Sequence, residues 1–165
     1  MNFIAQITNF LQDLPIAILI SENEFLFPWI ESFHVLAITM VIGSIFLVDF
    51  RLTGIAFKSF EFSTFSRALT KVTWLGFSLA VITGSLLFIS NASTYLNNSA
   101  FQLKFLFLFL AGLNMLIFQF VSSKEMNVWG HPDYRVPTLG KIAGFCSLIF
   151  WLTVVACGRW IGFTL

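Results

Sequence analysis

The chain has 165 residues, of which 58% are apolar and only 10% are charged, and its mean hydropathy is +0.88. Soluble domains carry about 25% charged residues, so this composition excludes an ordinary soluble protein and indicates one embedded in a membrane. The net charge of +1, with no cluster of Lys and Arg, gives no indication of nucleic-acid binding.

The N-terminal segment, MNFIAQITNFLQDLPIAILISENE, predicts a helix that lies on the membrane surface. It contains no Lys or Arg, so it lacks the basic region of a secretory signal. Apolar residues recur in it at helical spacing, interrupted by Pro15: Phe3, Ile7, Phe10, Leu11, Leu14 and Ile18. We therefore predict an N-terminal amphipathic interfacial helix.

Four apolar segments are long enough to cross the hydrocarbon layer, which takes about 20 helical residues. They cover about residues 28–50, 72–90, 101–121 and 141–163. The short connections between them favour antiparallel neighbours. The prediction is an all-α protein, an integral membrane up-down four-helix bundle that forms a single domain over residues 1–165.

Basic residues alternate between the segments that flank these spans, which predicts an orientation. Neither the segment before the first span nor the connection after the second contains Lys or Arg. The other two connections are basic: Arg51, Lys58, Arg67 and Lys71 follow the first span, and Lys124, Arg135 and Lys141 follow the third. Because basic loops face the cytoplasm, both termini are predicted to lie outside, in the cytoplasmic (inner) membrane of a bacterium.

Small residues recur at every fourth position in the second span, at Gly76, Ala80 and Gly84. This spacing predicts a face on which a neighbouring helix packs closely, and a flat cofactor could use the same room. In the last span, Cys146 and Cys157 are about 16 Å apart along a helix, which excludes a disulfide between them. Both are interpreted as buried structural cysteines.

A few ionisable side chains interrupt the spans, where each costs about 2.5–3.5 kcal/mol at the centre and usually faces the bundle interior. They are Glu31, His34, Lys104 and Arg159. Because the spans alternate in direction, all four lie at a similar depth near the outer face. Glu31 and His34 are one helical turn apart. Asn114 lies deeper on the same face as Lys104, and its amide needs a partner.

Each of these residues also has a structural explanation. Lys104 and Arg159 could extend to the lipid headgroups. Glu31 could be interfacial, and His34 could be a core histidine bonded to Glu31. His131 lies in the connection on the opposite side of the membrane, so it cannot share a metal with His34 within one monomer, and a loop or surface role is predicted for it.

Taken together, the residues predict a site for b-type haem, with His34 as the axial ligand to the metal. Glu31 would orient His34 through the other ring nitrogen, and Lys104 and Arg159 would pair with the propionates. The second axial position would stay open, be taken by Lys104, or come from another subunit. Asn114 is the fifth predicted cofactor-binding residue.

The segments FPWIESFHVLAITMVIGSIFLVDFRL and FQLKFLFLFLAGLN resemble the four-helix membrane proteins related to bacterial haem-containing protoporphyrinogen oxidase and to the CopD copper-resistance domain. His34 and Lys104 match a histidine early in the first span of those proteins and a lysine that opens the third span of the oxidase. A closer resemblance, in WIESFHVLA, DFRLTG and the terminal GRWIGF, is to an uncharacterised bacterial family of the same architecture. The resemblance implies a haem protein of four spans.

The leading functional prediction is a haem-binding membrane protein with a redox or porphyrin-related role, acting as an oxidoreductase on a tetrapyrrole or quinone-like substrate. The main alternative is a non-enzymatic accessory or structural subunit. In it, the polar cluster would pack the bundle or bind lipid or a partner, either in a homo-oligomer or in a larger membrane complex. A third hypothesis is a small transporter in which Glu31 and His34 relay protons.

Overall fold

The computed structural model describes residues 3–57, 59, 61–122 and 136–164, and these form seven α-helices. In chain order they are α1 (Phe3–Gln12), α2 (Pro15–Glu22), α3 (Leu26–Thr53), α4 (Phe62–Ser90), α5 (Ala92–Asn97), α6 (Ser99–Ser122) and α7 (Thr138–Thr164). Four of them, α3, α4, α6 and α7, are long and apolar enough to cross a membrane. The predicted all-α, four-span architecture is therefore confirmed.

The ends of the spans differ from the prediction at one place in particular. Helix α3 ends at Thr53 because Gly54 adopts the left-handed conformation (φ 75°) and its N–H bonds the carbonyl of Phe50. Helix α4 then begins at Phe62, well before the predicted residue 72. Residues 62–71, about half of the segment predicted as a surface connection, are thus the first part of α4, where Arg67 and the residues around it continue the helix beyond its apolar part.

The four spans pack as two close pairs that meet through α3 and α7. Helix α3 packs along α4, helix α6 packs along α7, and the α3–α7 contact joins the two pairs. Among the described residues, α4 and α6 have no comparable packing against each other. One side of the bundle, between α4 and α6, is therefore without close backbone packing.

Two short N-terminal helices cover one end of this bundle. Helices α1 and α2 are bent by 69° at the break before Pro15. Helix α1 packs on α5 and α4, whereas α2 packs on α4 and α3. Thr8, Ala17 and Ile20 are buried in these contacts, and many apolar side chains remain exposed, among them Phe3, Ile4, Phe10, Ile16 and Leu19. Two helices thus stand where a single amphipathic helix was predicted, and as one bent pair they also qualify as a fifth span.

The two ends of the bundle carry different polar groups, and we name them by one residue each. The beginnings of α3 and α6 and the ends of α4 and α7 form the His34 end. At this end Asn98, just before α6, donates a hydrogen bond of 2.8 Å to Thr164 of α7. The opposite end, where α3 and α6 finish and α4 and α7 begin, is the Asp49 end.

Candidate functional site

His34 projects from α3 onto α4, where a hydroxyl group holds its ring. Its Nδ1 lies 2.9 Å from Oγ1 of Thr83. The Thr83 hydroxyl donates its one proton to the carbonyl of Leu79, 2.7 Å away, so its oxygen accepts the hydrogen bond from Nδ1–H. The backbone of Ala80 forms a further hydrogen bond with the imidazole. With its proton on Nδ1, a neutral His34 ring carries its lone pair on Nε2.

The imidazole can lie against α4 because residue 84 is a glycine. A Cβ at Gly84 would stand 2.9 Å from Cε1 of His34, so any side chain there would displace the ring. About two helical turns earlier on α4, a Cβ at Gly76 would stand 3.0 Å from the carbonyl oxygen of Ala37. The predicted close approach along this small-residue face is confirmed at both glycines. At Gly84 the room is taken by His34 itself.

Lys104 projects from α6 onto α7 at the same end of the bundle. Its Nζ and Cε lie 3.7 and 3.9 Å from the position of a Cβ at Gly158. The side chain is half-buried, its charge acts on His34, and Cys157 interacts with it electrostatically. Within the described part of the chain, this ammonium forms no ion pair and no hydrogen bond. The structure thus brings His34 and Lys104 together from two different spans.

Cys157 is a neighbour of this site that the sequence analysis assigned only a structural role. Both cysteines are free, as predicted, but Cys157 is buried whereas Cys146 is half-buried. The depth of Cys157 in the membrane could have been read from the sequence. The distance of Cys157 from the end of α7 equals that of Lys104 from the start of α6, to within about one helical turn. A thiol beside an ammonium is therefore part of the His34 end.

Glu31 lies one turn before His34 but does not orient it. Its side chain is exposed, and its charge acts instead on Tyr95 of α5. Tyr95 is only 8% exposed and packs against Phe88 and Phe101, with ring centroids 6.4 and 5.3 Å away. Glu31 therefore interacts electrostatically with the short helix α5.

The burial of Tyr95 and its interaction with Glu31 predict that the Tyr95 hydroxyl titrates at unusually high pH. Burial, and then the negative charge of Glu31, raise the pKa of Tyr95 above its ordinary value. Since the folded pKa is the higher one, the burial of Tyr95 stabilises the fold below the ordinary tyrosine pKa of about 10 and ceases to do so as the pH rises through the folded pKa. We expect a Tyr134→Phe variant, which retains Tyr95 as its one tyrosine, to form tyrosinate at unusually high pH by ultraviolet absorption. Adding Glu31→Gln should lower that pH, and an unchanged titration would contradict the interaction.

Arg159 and Asn114, the two other predicted cofactor residues, lie apart from His34 and Lys104. Arg159 is exposed, and its guanidinium lies 4.8 Å from the ring centroid of Phe163, one turn further along α7. This placement suits a side chain that extends along its own helix toward the headgroups. Asn114 donates a hydrogen bond of 3.0 Å to the carbonyl of Ala143, which is the partner that its depth required.

A site for a bare metal ion is not formed by the described residues, which contain no group of three or more His, Cys, Asp or Glu side chains able to hold one. His131 lies outside the described residues.

Asp49 forms a second polar site, which the sequence analysis overlooked. It is 4% exposed, its carboxyl group shares a hydrogen bond with Ser147 of α7, and its Oδ2 has no hydrogen-bond partner. The signal was available, since Asp49 falls inside the predicted first span of residues 28–50. Its nearness to the end of that span made it resemble an ordinary interfacial acid.

Comparison with known proteins gives one match. No curated protein and no solved structure matches the chain. The model of a family of unknown function, DUF6644, matches residues 25–164. The matched region begins one residue before α3 and takes in all four spans, with His34, Lys104 and Asp49 among them. The chain therefore belongs to the DUF6644 family of unknown function.

Proposed function

We propose that this membrane protein binds b-type haem, with His34 as the axial ligand, and has a redox or porphyrin-related role. The observation that carries the proposal is the orientation of the imidazole. A histidine that binds a metal almost always donates its other ring N–H to a fixed acceptor, which sets the tautomer and directs the lone pair. In the proposed site Thr83 is the acceptor for Nδ1–H of His34, and the lone pair on Nε2 is the one that binds the metal.

Lys104 supports the same proposal through its charge. An ammonium at membrane depth without an acidic partner is costly, and an anionic group of a bound molecule would relieve that cost. Haem carries two propionates, and Lys104 is at the right end of the bundle to pair with one of them. Its neighbours on α7 are Cys157 and Gly158, and neither of them carries a carboxylate that could pair with the Lys104 ammonium.

The packing of the bundle offers a route for a flat, apolar ligand. The side of the bundle between α4 and α6 lacks close backbone packing. At the His34 end, His34 projects from α3 and Lys104 from α6. When bound, haem would supply reversible one-electron transfer, and the residues of the chain would hold it and neutralise its carboxylates. As an oxidoreductase, the protein would act on a tetrapyrrole or quinone-like substrate.

The resemblance to the haem-containing protoporphyrinogen oxidase and CopD-like group supports the ligand assignment, because His34 matches a histidine early in the first span of those proteins and Lys104 matches a lysine that opens the third span of the oxidase. The proposal places the protein in the bacterial cytoplasmic membrane with both termini outside, as the distribution of Lys and Arg predicts.

A spectrum of the purified protein tests the proposal. Protein made in haem-replete bacterial cells and purified in mild detergent should be red, with a Soret band that shifts on reduction and about one haem per chain. If the second axial ligand of the haem iron comes from another subunit, the spectrum should depend on the oligomeric state of the protein. Colourless protein that also fails to take up added haemin in detergent would contradict haem binding.

A non-enzymatic accessory subunit is the second candidate, and the interhelical hydrogen bonds favour it. His34 joins α3 to α4 through Thr83, and Asn114 joins α6 to α7 through the carbonyl of Ala143. In this case His34 and Lys104 would stabilise the bundle or bind a lipid or a partner protein. The same purification decides, because a colourless protein that co-purifies with a larger membrane complex supports the subunit role.

A further inference from the structure

The most unusual group outside the His34 site is the carboxyl of Asp49. Asp49 lies about 30 Å along α3 from Trp29, a distance equal to the thickness of the hydrocarbon layer. An acid at that membrane boundary ordinarily reaches water and stays charged. Asp49 is instead 4% exposed, and its Oδ2 has no hydrogen-bond partner.

Helix α7 covers this carboxyl. A Cβ at Gly144 would stand 3.1 Å from Cβ of Leu52 and 3.3 Å from the backbone oxygen of Asp49, so α3 and α7 are in close contact here. Ser147, one turn further along α7 and also buried, shares a hydrogen bond with the Asp49 carboxyl. The hydroxyl of Ser44, one turn back on α3, is already paired with Thr73 of α4 at 2.8 Å.

The charged groups near this end do not neutralise Asp49 within the described residues. On the helices packed against α3, the basic side chains at this end are Arg67 and Lys71 of α4 and Lys141 of α7, and all three are exposed. Arg51, on α3 itself, is buried and has interactions of its own. No described residue forms an ion pair with Asp49.

We propose that Asp49 is a reversible proton-binding site, filled from the water at the Asp49 end, and that the proton is held on Oδ2, the oxygen that has no hydrogen-bond partner. A buried carboxylate with an unpartnered oxygen carries a large desolvation cost, and the addition of one proton to that oxygen removes the charge. A sodium ion would need several oxygen ligands, whereas Oδ2 is the one buried side-chain oxygen of the described residues that has no hydrogen-bond partner. The proton is therefore the small cation that fits.

An apolar layer separates this site from His34. Ala37 and Val41, which lie between the two residues on α3, are 2% and 3% exposed, and Gly76 of α4 packs directly on them. A proton reaching Asp49 therefore comes from its own end of the bundle. This inference does not depend on haem binding, and either can fail without the other.

Infrared spectroscopy of the purified protein tests the inference directly. The carbonyl band of a protonated carboxyl is distinct from the bands of carboxylates and amides. We expect such a band in the wild-type protein, lost reversibly as the pH is raised and absent in Asp49→Asn at every pH. Glu31→Gln, which removes an exposed acid, should leave the band unchanged, and Asp49→Glu should restore it at a shifted frequency.

Three results would overturn the inference, provided that circular dichroism shows the variants to be folded. The first is the absence of an Asp49-dependent band at any pH at which the wild type is folded. The second is a band that does not titrate, which would make Asp49 a fixed structural group. The third is a band lost when potassium is replaced by sodium at constant pH, which would make the site a sodium site.

Discussion

Replacement of His34 by alanine should abolish the Soret band and leave the four spans folded. In the proposed site the lone pair on Nε2 is the ligand, and alanine supplies none, so we expect a loss of bound haem rather than a weaker spectrum. The hydrogen bond to Thr83 is lost as well, but a single partly buried hydrogen bond is worth only about 0.5–1.5 kcal/mol, too little to unfold a four-span bundle. Haem content by pyridine haemochrome and helix content by circular dichroism measure the two effects separately.

Two further variants serve as controls for this result. Thr83→Val keeps the ligand but removes the acceptor that orients it, so the Soret band should persist while haem affinity falls about 10- to 100-fold. His131→Ala removes the other histidine of the chain and should leave the spectrum unchanged. Full haem content in His34→Ala would mean that the axial ligand is a different residue.

Substitution at Gly76 should have the largest effect on stability. A Cβ there meets the backbone oxygen of Ala37 at 3.0 Å, and backbone cannot move aside as the end of a flexible side chain can. We expect Gly76→Ala to cost about 1–3 kcal/mol, as overpacked cores do, and Gly76→Leu to cost more and to separate α3 from α4. Thermal or denaturant unfolding in detergent measures the loss.

Gly112 of α6 provides a matched control, since a Cβ there meets nothing within 4 Å. Gly112→Ala should be neutral or stabilising by up to about 1 kcal/mol, because alanine favours the helix more than glycine does. Equal losses of stability at Gly76 and Gly112 would show that helix propensity, and not the α3–α4 contact, sets the effect.

Much of the fold could be predicted from the sequence because the hydrocarbon layer sets a minimum length for each apolar helix. What the apolar pattern could not give was the start of α4 at Phe62, since a helix that continues into water has no hydropathic signature. The break before Pro15 was visible in the sequence, but the 69° bend depends on the contacts of α1 and α2 with α4 and its neighbours.

The site could be predicted in depth but not in direction around each helix. Alternating spans correctly placed His34 and Lys104 at one end, and the structure adds that they project toward the same part of it. Glu31 and Arg159 share that depth but face elsewhere, toward Tyr95 and Phe163, because a spacing of three or four residues does not say which neighbour a helix face will meet. Thr83 gave no signal, since a threonine in a span most often bonds only its own helix.

The layer of Ala37, Val41 and Gly76 has a consequence for energetics across the bilayer. A charge that crosses a membrane gains or loses about 2.3 kcal/mol for each 100 mV of transmembrane potential. Under the two proposals, electrons or protons exchanged at His34 would enter and leave on one side of this layer, and protons exchanged at Asp49 would do so on the other. Neither exchange would then carry a charge across the whole bilayer, so we expect the rate of each to respond only weakly when the membrane potential is collapsed by an ionophore.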